Sequence, residues 1–192
     1  MSRNIKKILI IDASPRVKNC YKISRNLFNM LDKKYKIARA CLDKLMISPC
    51  KDCGYCKYKK GCRIDDDMQN MYKVIDEADG IIVISPINFD MLHPNLISLI
   101  SRLNAIYHSK YTLNDSMIDR NKKRHGMFIY VGGSKPYEGQ FEHAEHVGKF
   151  MFKAINTIYD ISYKRSNTDN EEITKEEIEW LYNEFIKILN EE

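Results

Sequence analysis

The sequence has 192 residues, of which 44% are hydrophobic and 30% charged, with only 8 Gly and 5 Pro. These values exclude a disordered chain, a collagen-like repeat and a low-complexity linker, and the length predicts one domain around one substantial core. The net charge of +5 is too small to indicate a nucleic-acid-binding protein. The charge is uneven, because residues 167–192 carry nine acidic and two basic side chains, which leaves +12 on residues 1–166.

The apolar runs of the sequence are short. Runs such as residues 8–11 and 80–84 fall far below the roughly 20 residues that cross a bilayer, so we expect no membrane helix. Asp12 interrupts the first run too early for the core of a signal peptide. We therefore expect a cytoplasmic protein whose cysteines stay reduced.

Strand and helix signals alternate along the chain. Short β-branched runs, apolar throughout where the strand is central, predict strands at residues 7–12, 36–40, 80–85, 125–133 and 161–166. Segments with apolar residues at helical spacing predict helices at residues 20–32, 67–77, 94–108, 140–157 and 173–190. This alternation is typical of a doubly wound α/β sandwich, in which ligands bind beyond the carboxyl ends of the strands.

Three predicted strands end in segments suited to ligand binding. DASPRVKNCYK ends the first strand, SPINFDMLHP the third and GGSKPYEGQF the fourth. In the first segment a hydroxyl, a guanidinium group and the amides of a helix N-terminus could hold a phosphate. The three segments together predict one ligand site.

The order and spacing of these segments resemble the NADPH-dependent FMN reductase family and, within it, the iron-sulfur flavoproteins. KILIIDASPR is similar to the family's first strand and phosphate loop, and VGGSKP followed by EGQF is similar to its third ligand loop. The resemblance covers nearly the whole chain. It implies a single flavodoxin-like FMN-binding domain over residues 1–192, with a cysteine-rich loop at about residues 46–66. The implied fold is a three-layer α/β sandwich, with a five-stranded parallel sheet of order 2-1-3-4-5 and helices on both faces.

The resemblance also implies which residues contact FMN. Around the phosphate it places Ser14, Arg16, Asn19 and the amides near Cys20 and Tyr21. Against the ring system it places Pro86, Ile87, Asn88, Phe89, Gly132, Gly133 and Ser134. Two departures from the family pattern bear on affinity. The phosphate loop is one residue shorter than the usual form and lacks its glycine, and Cys20 stands where a Ser or Thr hydroxyl is common, although a thiol donates poorly.

Four cysteines, Cys50, Cys53, Cys56 and Cys62, lie within thirteen residues. A structural zinc site usually takes two C-x2-C pairs separated by a dozen or more residues, and this spacing does not provide them. Three thiolates at successive x2 spacing are typical of a cuboidal cluster. One 4Fe-4S cluster with four thiolates fits best, and the alternative is a set of reduced cysteines on a loop.

The resemblance implies an oxidoreductase that needs no general base or nucleophile. A ferredoxin or similar acidic carrier would reduce the cluster, and electrons would pass to FMN and on to a small-molecule acceptor. Lysines among the cysteines would attract such a carrier. One alternative is a cluster-free FMN or quinone reductase that uses NAD(P)H as substrate, and another is a non-enzymatic redox sensor.

The resemblance further implies a homodimer or homotetramer, because flavin rings in these proteins commonly lie near a subunit boundary. The segment from His108 to Arg124 has no clear place in a minimal flavodoxin-like fold and is the candidate interface. Nucleic acid and membrane are not expected partners.

Overall fold

The computed structural model describes residues 5–190, and its core is a parallel β-sheet. The five parallel strands are β1 Lys7–Asp12, β2 Lys36–Cys41, β3 Gly80–Asn88, β5 Arg124–Gly132 and β6 Thr157–Arg165. Their order is β2-β1-β3-β5-β6, which is 2-1-3-4-5 when the parallel strands are counted alone. The predicted fold class is therefore confirmed. A sixth strand, the two-residue β4 at Met91–Leu92, pairs antiparallel with β3.

Helices cover both faces of the sheet. They are α1 Asn19–Leu31, α2 Met68–Glu77, α3 Pro94–Arg102, α4 Asn104–Tyr111, α5 Glu142–Ala154 and α6 Lys175–Asn190. Successive strand residues point to opposite faces, and accordingly Leu9 and Ile11 pack with α2 to α5, whereas Ile8 and Ile10 pack with α1 and α6. Because both faces are covered, the central residues of these strands, at 8–11 in β1, 81–84 in β3 and 127–131 in β5, are all apolar.

Two predicted boundaries are wrong. The helix predicted at 94–108 is two helices, α3 and α4, which meet at Leu103. The helix predicted at 140–157 ends at Ala154, and the last strand begins at Thr157 rather than at 161. Asn156 adopts a left-handed conformation with φ of 58°, which terminates α5 and redirects the chain into β6.

The topology gathers the carboxyl ends of the strands along one edge. β1 and β5 both pair with β3 in parallel, so Asp12, Ser85 and Tyr130 lie at neighbouring levels of the sheet. The segments that follow these three strands therefore meet, as predicted for this class of fold. Among residues 5–190, no helix combines the length and apolar character needed to cross a membrane.

Candidate functional site

A cavity of about 550 Å³ opens at the carboxyl edge of the sheet. Its volume lies within the range of small-molecule and cofactor sites, roughly 300 to 1,000 Å³. All of the predicted FMN-contact residues except Tyr21 line it: Ser14, Arg16, Asn19, Cys20, Pro86, Ile87, Asn88, Phe89, Gly132, Gly133 and Ser134. Tyr21 faces a neighbouring groove, and its ring lies 4.8 Å from the guanidinium carbon of Arg39.

The phosphate loop between β1 and α1 forms one end of the cavity. The Ser14 amide donates to Asp12 Oδ1 at 3.1 Å, and the Arg16 amide donates to Ser14 Oγ at 3.3 Å, so the loop turns on its own side chains. The first amides of α1, beginning at Asn19, have no acceptor within the helix and remain available to an anion. Burial raises the pKa of the Cys20 thiol, which therefore stays uncharged beside them.

A fourth segment, which follows β6, closes this end of the cavity. Asn19 Nδ2 donates to the carbonyl of Thr168 at 2.9 Å. The amides of Thr168 and Asp169 donate to the carbonyls of Gly132 and Gly133 at 3.2 and 3.1 Å. The Asp169 carboxylate lies so close to Gly133 that a side chain at position 133 would have to displace it. The segment after β6 thus becomes a wall of the site.

The other end of the cavity is open and combines apolar with polar side chains. β3 and β4 are joined by a two-residue hairpin turn in which Phe89 and Asp90 have φ of 50° and 61°. The turn leaves the Phe89 side chain fully exposed at the mouth of the cavity. Across the mouth, the Tyr137 hydroxyl donates to Asp90 Oδ1, and this hydrogen bond raises the pKa of Tyr137.

The sequence analysis did not identify eight residues that line the cavity: Lys18, Asp90, Pro94, Val131, Tyr137, Gln140, Thr168 and Asp169. Tyr137 and Gln140 lie inside the segment GGSKPYEGQF, so the signal was present. Thr168 and Asp169 could have been found by applying the strand-end rule to the last strand as well. His93, next to the cavity residue Pro94, caps α3 by accepting from the Asn95 amide at 3.3 Å.

The four clustered cysteines lie on a separate segment between β2 and α2. The Cys50 amide donates to Ser101 Oγ at 2.9 Å, and Cys50 Sγ accepts from the Asp52 amide at 3.4 Å and from Asn104 Nδ2 at 3.8 Å. Gly54, with φ of 70°, lets the chain turn between Cys53 and Cys56. The segment is therefore held against α3 and the start of α4.

The thiols of this segment influence one another electrostatically. Burial raises the pKa of Cys56, and the neighbouring Cys62, Cys50 and Cys53 raise it further. All four cysteines are free, and none is completely buried. Within residues 5–190, no group of three or more His, Cys, Asp or Glu side chains is gathered tightly enough to hold a metal ion.

A buried arginine binds both ends of the cysteine segment. Arg102, whose side chain is fully buried, forms an ion pair with Asp66 at 2.6 Å. It also donates to the carbonyls of Ser48 at 2.9 Å and Ile64 at 3.3 Å. Arg102 therefore ties the start of the segment at residues 48–66 to its end, and Gln69 of α2 adds hydrogen bonds to the carbonyls of Cys62 and Ile64.

Comparison with known proteins is consistent with this architecture. The family model described as NADPH-dependent FMN reductase matches residues 6–157. An iron-sulfur flavoprotein of Methanosarcina thermophila is 30% identical over 131 residues, covering 67% of this chain and 64% of that protein. One from Archaeoglobus fulgidus is 29% identical over 129 residues, covering 67% and 63%. The matched segments thus span less than two thirds of these curated relatives.

Solved structures share the fold at low sequence identity. The Streptococcus mutans protein Smu.1420 superposes with a TM-score of 0.69 at 15% identity, covering 95% of this chain and 98% of that one. An azoreductase of Bacillus anthracis superposes with a TM-score of 0.64 at 18% identity, covering 97% and 99%. These likenesses support the flavodoxin-like arrangement of strands and helices.

Proposed function

Because the chain belongs to the NADPH-dependent FMN reductase family, we propose that it is a flavin-dependent oxidoreductase that binds FMN in the cavity at the carboxyl edge of the sheet. The observation that carries the proposal is the polarity of this cavity. One end offers a helix N-terminus and basic side chains, and the other offers apolar side chains at an open mouth. A flavin mononucleotide has the same polarity, with an anionic phosphate at one end and a flat ring at the other.

The phosphate end of the cavity would bind and orient the phosphate of FMN. The free amides at the start of α1 would donate to phosphate oxygens, and the hydroxyl of Ser14 and the charges of Arg16 and Lys18 lie in the same lining. Within the part of the chain that the structure describes, the Arg16 guanidinium group has no hydrogen-bond or ion-pair partner and is exposed. These groups compensate for the shortened loop and for the thiol at position 20.

The ring end of the cavity would hold the flavin ring and leave it accessible through the open mouth. Pro86 and Ile87 of β3 provide an apolar wall, and the exposed Phe89 provides a flat surface beside it. Asn88 supplies an amide at the edge of the ring. Bound FMN would supply electron-transfer chemistry in single or paired electrons, and the protein would hold the ring in position at the open mouth.

We further propose that Cys50, Cys53, Cys56 and Cys62 hold a 4Fe-4S cluster. The donor set has the right chemistry, because it offers four thiols on one segment and N–H donors aimed at a sulfur, which tune the potential of such clusters. The names of the curated relatives support the same proposal. A bound cluster would supply one-electron chemistry.

A ferredoxin-like acidic carrier is the proposed electron donor. Lys57 and Lys59 are exposed beside the cysteines and attract such a carrier. Lys60 contributes less, because it is paired with Asp115 at 2.6 Å. The acceptor is proposed to be a small molecule that enters at the open mouth of the cavity.

A cluster-free reductase that uses NAD(P)H is the second candidate. The open mouth at Phe89 favours it, because a dinucleotide could reach the ring end there. The third candidate function is a non-enzymatic redox sensor. In that case the thiols should oxidise without catalytic turnover.

Metal and flavin analysis of protein purified without oxygen tests these proposals. We expect FMN, iron and acid-labile sulfide, with reduction by ferredoxin. Replacing any one of the four cysteines by Ser should lower iron and sulfide together and leave FMN bound, whereas the control Cys41→Ser should leave all three unchanged. FMN alone with NADPH turnover would select the cluster-free reductase, and absence of FMN would refute the flavin site.

A further inference from the structure

An ion pair between a buried acid and a partly exposed arginine lies directly beneath the phosphate loop. Asp12, the last residue of β1, is 1% exposed. Its Oδ2 is 2.9 Å from a guanidinium nitrogen of Arg39, on the adjacent strand β2. The same guanidinium group donates through Nε to Ser24 Oγ of α1 and packs over the ring of Tyr21. Arg39 therefore joins the sheet to α1 from below.

The carboxylate of Asp12 also sets the conformation of the loop. Its Oδ1 accepts from the Ser14 amide at 3.1 Å, and the Ser14 hydroxyl in turn accepts from the Arg16 amide at 3.3 Å. The loop that lines the phosphate end of the cavity thus turns on a buried negative charge.

This arrangement creates an electrostatic conflict. A buried carboxylate close to a phosphate would repel it, and the repulsion is strong because little water screens a buried charge. Among residues 5–190, Arg39 is the one cation that forms an ion pair with Asp12. Arg16 and Lys18, which line the cavity, are exposed and make no ion pair with Asp12.

We propose that Arg39 is a positioning residue that cancels the charge of Asp12 and thereby makes the loop selective for a phosphorylated flavin. Arg39 does not line the cavity, so it acts through Asp12 rather than by touching the cofactor. The inference rests on the proposed FMN site and adds a determinant of FMN over riboflavin. The structure explains why the loop tolerates an acid at this position, since the acid shapes the turn and the arginine removes its charge.

The two members of the pair should respond in opposite directions. Arg39→Gln leaves Asp12 uncompensated and should weaken FMN binding by about tenfold or more at low salt. Riboflavin, which lacks the phosphate, should change by less than about threefold. Asp12→Asn keeps an oxygen for the Ser14 amide and leaves Arg39 unpaired, so FMN should bind as tightly as before or more tightly. The double variant should return close to the original affinity.

Titration of the flavin-free full-length chain with FMN and with riboflavin, followed by flavin fluorescence, measures these effects. Arg25→Gln is the matched control, because it removes one positive charge from an exposed position of α1 and should change FMN affinity by less than about threefold. Thermal unfolding of each variant reports whether it is folded.

Three outcomes would overturn the proposal: unchanged FMN affinity in Arg39→Gln, equal losses for FMN and riboflavin, or weaker FMN binding in Asp12→Asn. If Arg39→Gln does not fold, the Asp12→Asn variant decides, because a purely structural pair predicts a loss there and charge cancellation predicts none. If the unaltered protein binds neither flavin, the proposed function fails and not the role of Arg39 alone.

Discussion

At the scale of single residues, Arg102 shows how a buried charge organises a segment that has little core of its own. Residues 48–66 contain one short 3₁₀ helix, Tyr55–Lys57, no strand, and no residue that is buried as a whole. Arg102 reaches both ends of this segment through Ser48, Ile64 and Asp66. Burial would raise the pKa of Asp66, but the hydrogen bond and charge of Arg102 outweigh it and hold this pKa below its ordinary value.

Removal of Arg102 should therefore be costly. Arg102→Leu leaves the Asp66 carboxylate buried without its partner, and we expect the free energy of unfolding at pH 7 to fall by about 3 to 5 kcal/mol. Chemical denaturation measures this value. The control Lys7→Gln removes an exposed partner of Glu77 and should cost about 1 kcal/mol or less.

The same pair predicts a dependence on pH. Because the folded-state pKa of Asp66 is depressed, its contribution is fully present above the unfolded-state pKa and is lost as the pH falls through the folded-state pKa. The stability difference between the original protein and Arg102→Leu should therefore shrink below about pH 4. A difference that stays constant down to pH 3 would contradict this assignment.

At the scale of elements, the hairpin turn between β3 and β4 departs from local preference. Both central residues are left-handed, which suits Asn-Gly, yet they are Phe89 and Asp90. Each non-glycine residue in this region costs roughly 1 to 2 kcal/mol. The strain is kept at the mouth of the cavity, where it presents a fully exposed aromatic ring.

Asp90→Gly should relieve part of this strain. We expect the free energy of unfolding to rise by about 0.5 to 1 kcal/mol, since glycine adopts the conformation freely and the exposed contact with Tyr137 contributes little. Asn88→Gly is the control with the opposite sign, because Asn88 lies in β3 outside the left-handed region and should lose stability. Thermal denaturation distinguishes them, and a loss in both variants would show that the turn is not strained.

Most of the strands, and three of the four segments that form the cavity, could be predicted from the sequence. Continuous apolar runs identified β1, β3 and β5, and the rule that ligands bind at strand ends brought three distant segments to one cavity. The start of β6 was missed because TIYD, at residues 157–160, has the alternating exposure of an edge strand and follows a helix without Gly or Pro. Thr168 follows the last strand, to which the strand-end rule also applies, but its hydrogen bond to Gly132 joins segments that are far apart in the chain and has no local sequence signal.

At the scale of the whole molecule, charge is distributed unevenly along the chain and some aromatic side chains are exposed. Residues 167–192 carry a net charge of −7 and the rest of the chain a net charge of +12. The side chains of Tyr107 and Tyr111 in α4 are about half exposed, whereas Ile118 in the following loop is buried. Ile118 thus packs on the core, whereas Tyr111 of the segment His108 to Arg124, and Tyr107 just before that segment, are available to the interface that we propose.

We expect a homodimer or homotetramer. Light scattering at micromolar concentration should give a multiple of the 22.6 kDa chain mass. Tyr107→Glu with Tyr111→Glu should shift the protein toward monomer by placing charges in the interface, whereas the control Trp180→Glu, on α6, should not. A monomeric original protein would contradict the expectation.

Basic side chains beside the cysteines would attract the proposed ferredoxin donor from a distance. Lys57→Gln with Lys59→Gln should slow reduction by ferredoxin several-fold at low salt, with iron content unchanged and the effect lost at high salt. Lys33→Gln with Lys34→Gln is the control, since these exposed lysines follow α1 at the opposite edge of the sheet. Equal slowing by both pairs would indicate net charge rather than a docking surface.

The wall formed by Thr168 and Asp169 has a consequence for biosynthesis. Asn19 and Thr168 are separated by 149 residues along the chain, yet they share a hydrogen bond at the phosphate end of the cavity. Domains begin to fold while the ribosome is still adding residues, and a nascent chain that has reached only α5 already contains the three loops of the cavity but not this wall. The phosphate end of the cavity is therefore complete only after the residues that follow β6 have been synthesised and have packed against Asn19, Gly132 and Gly133.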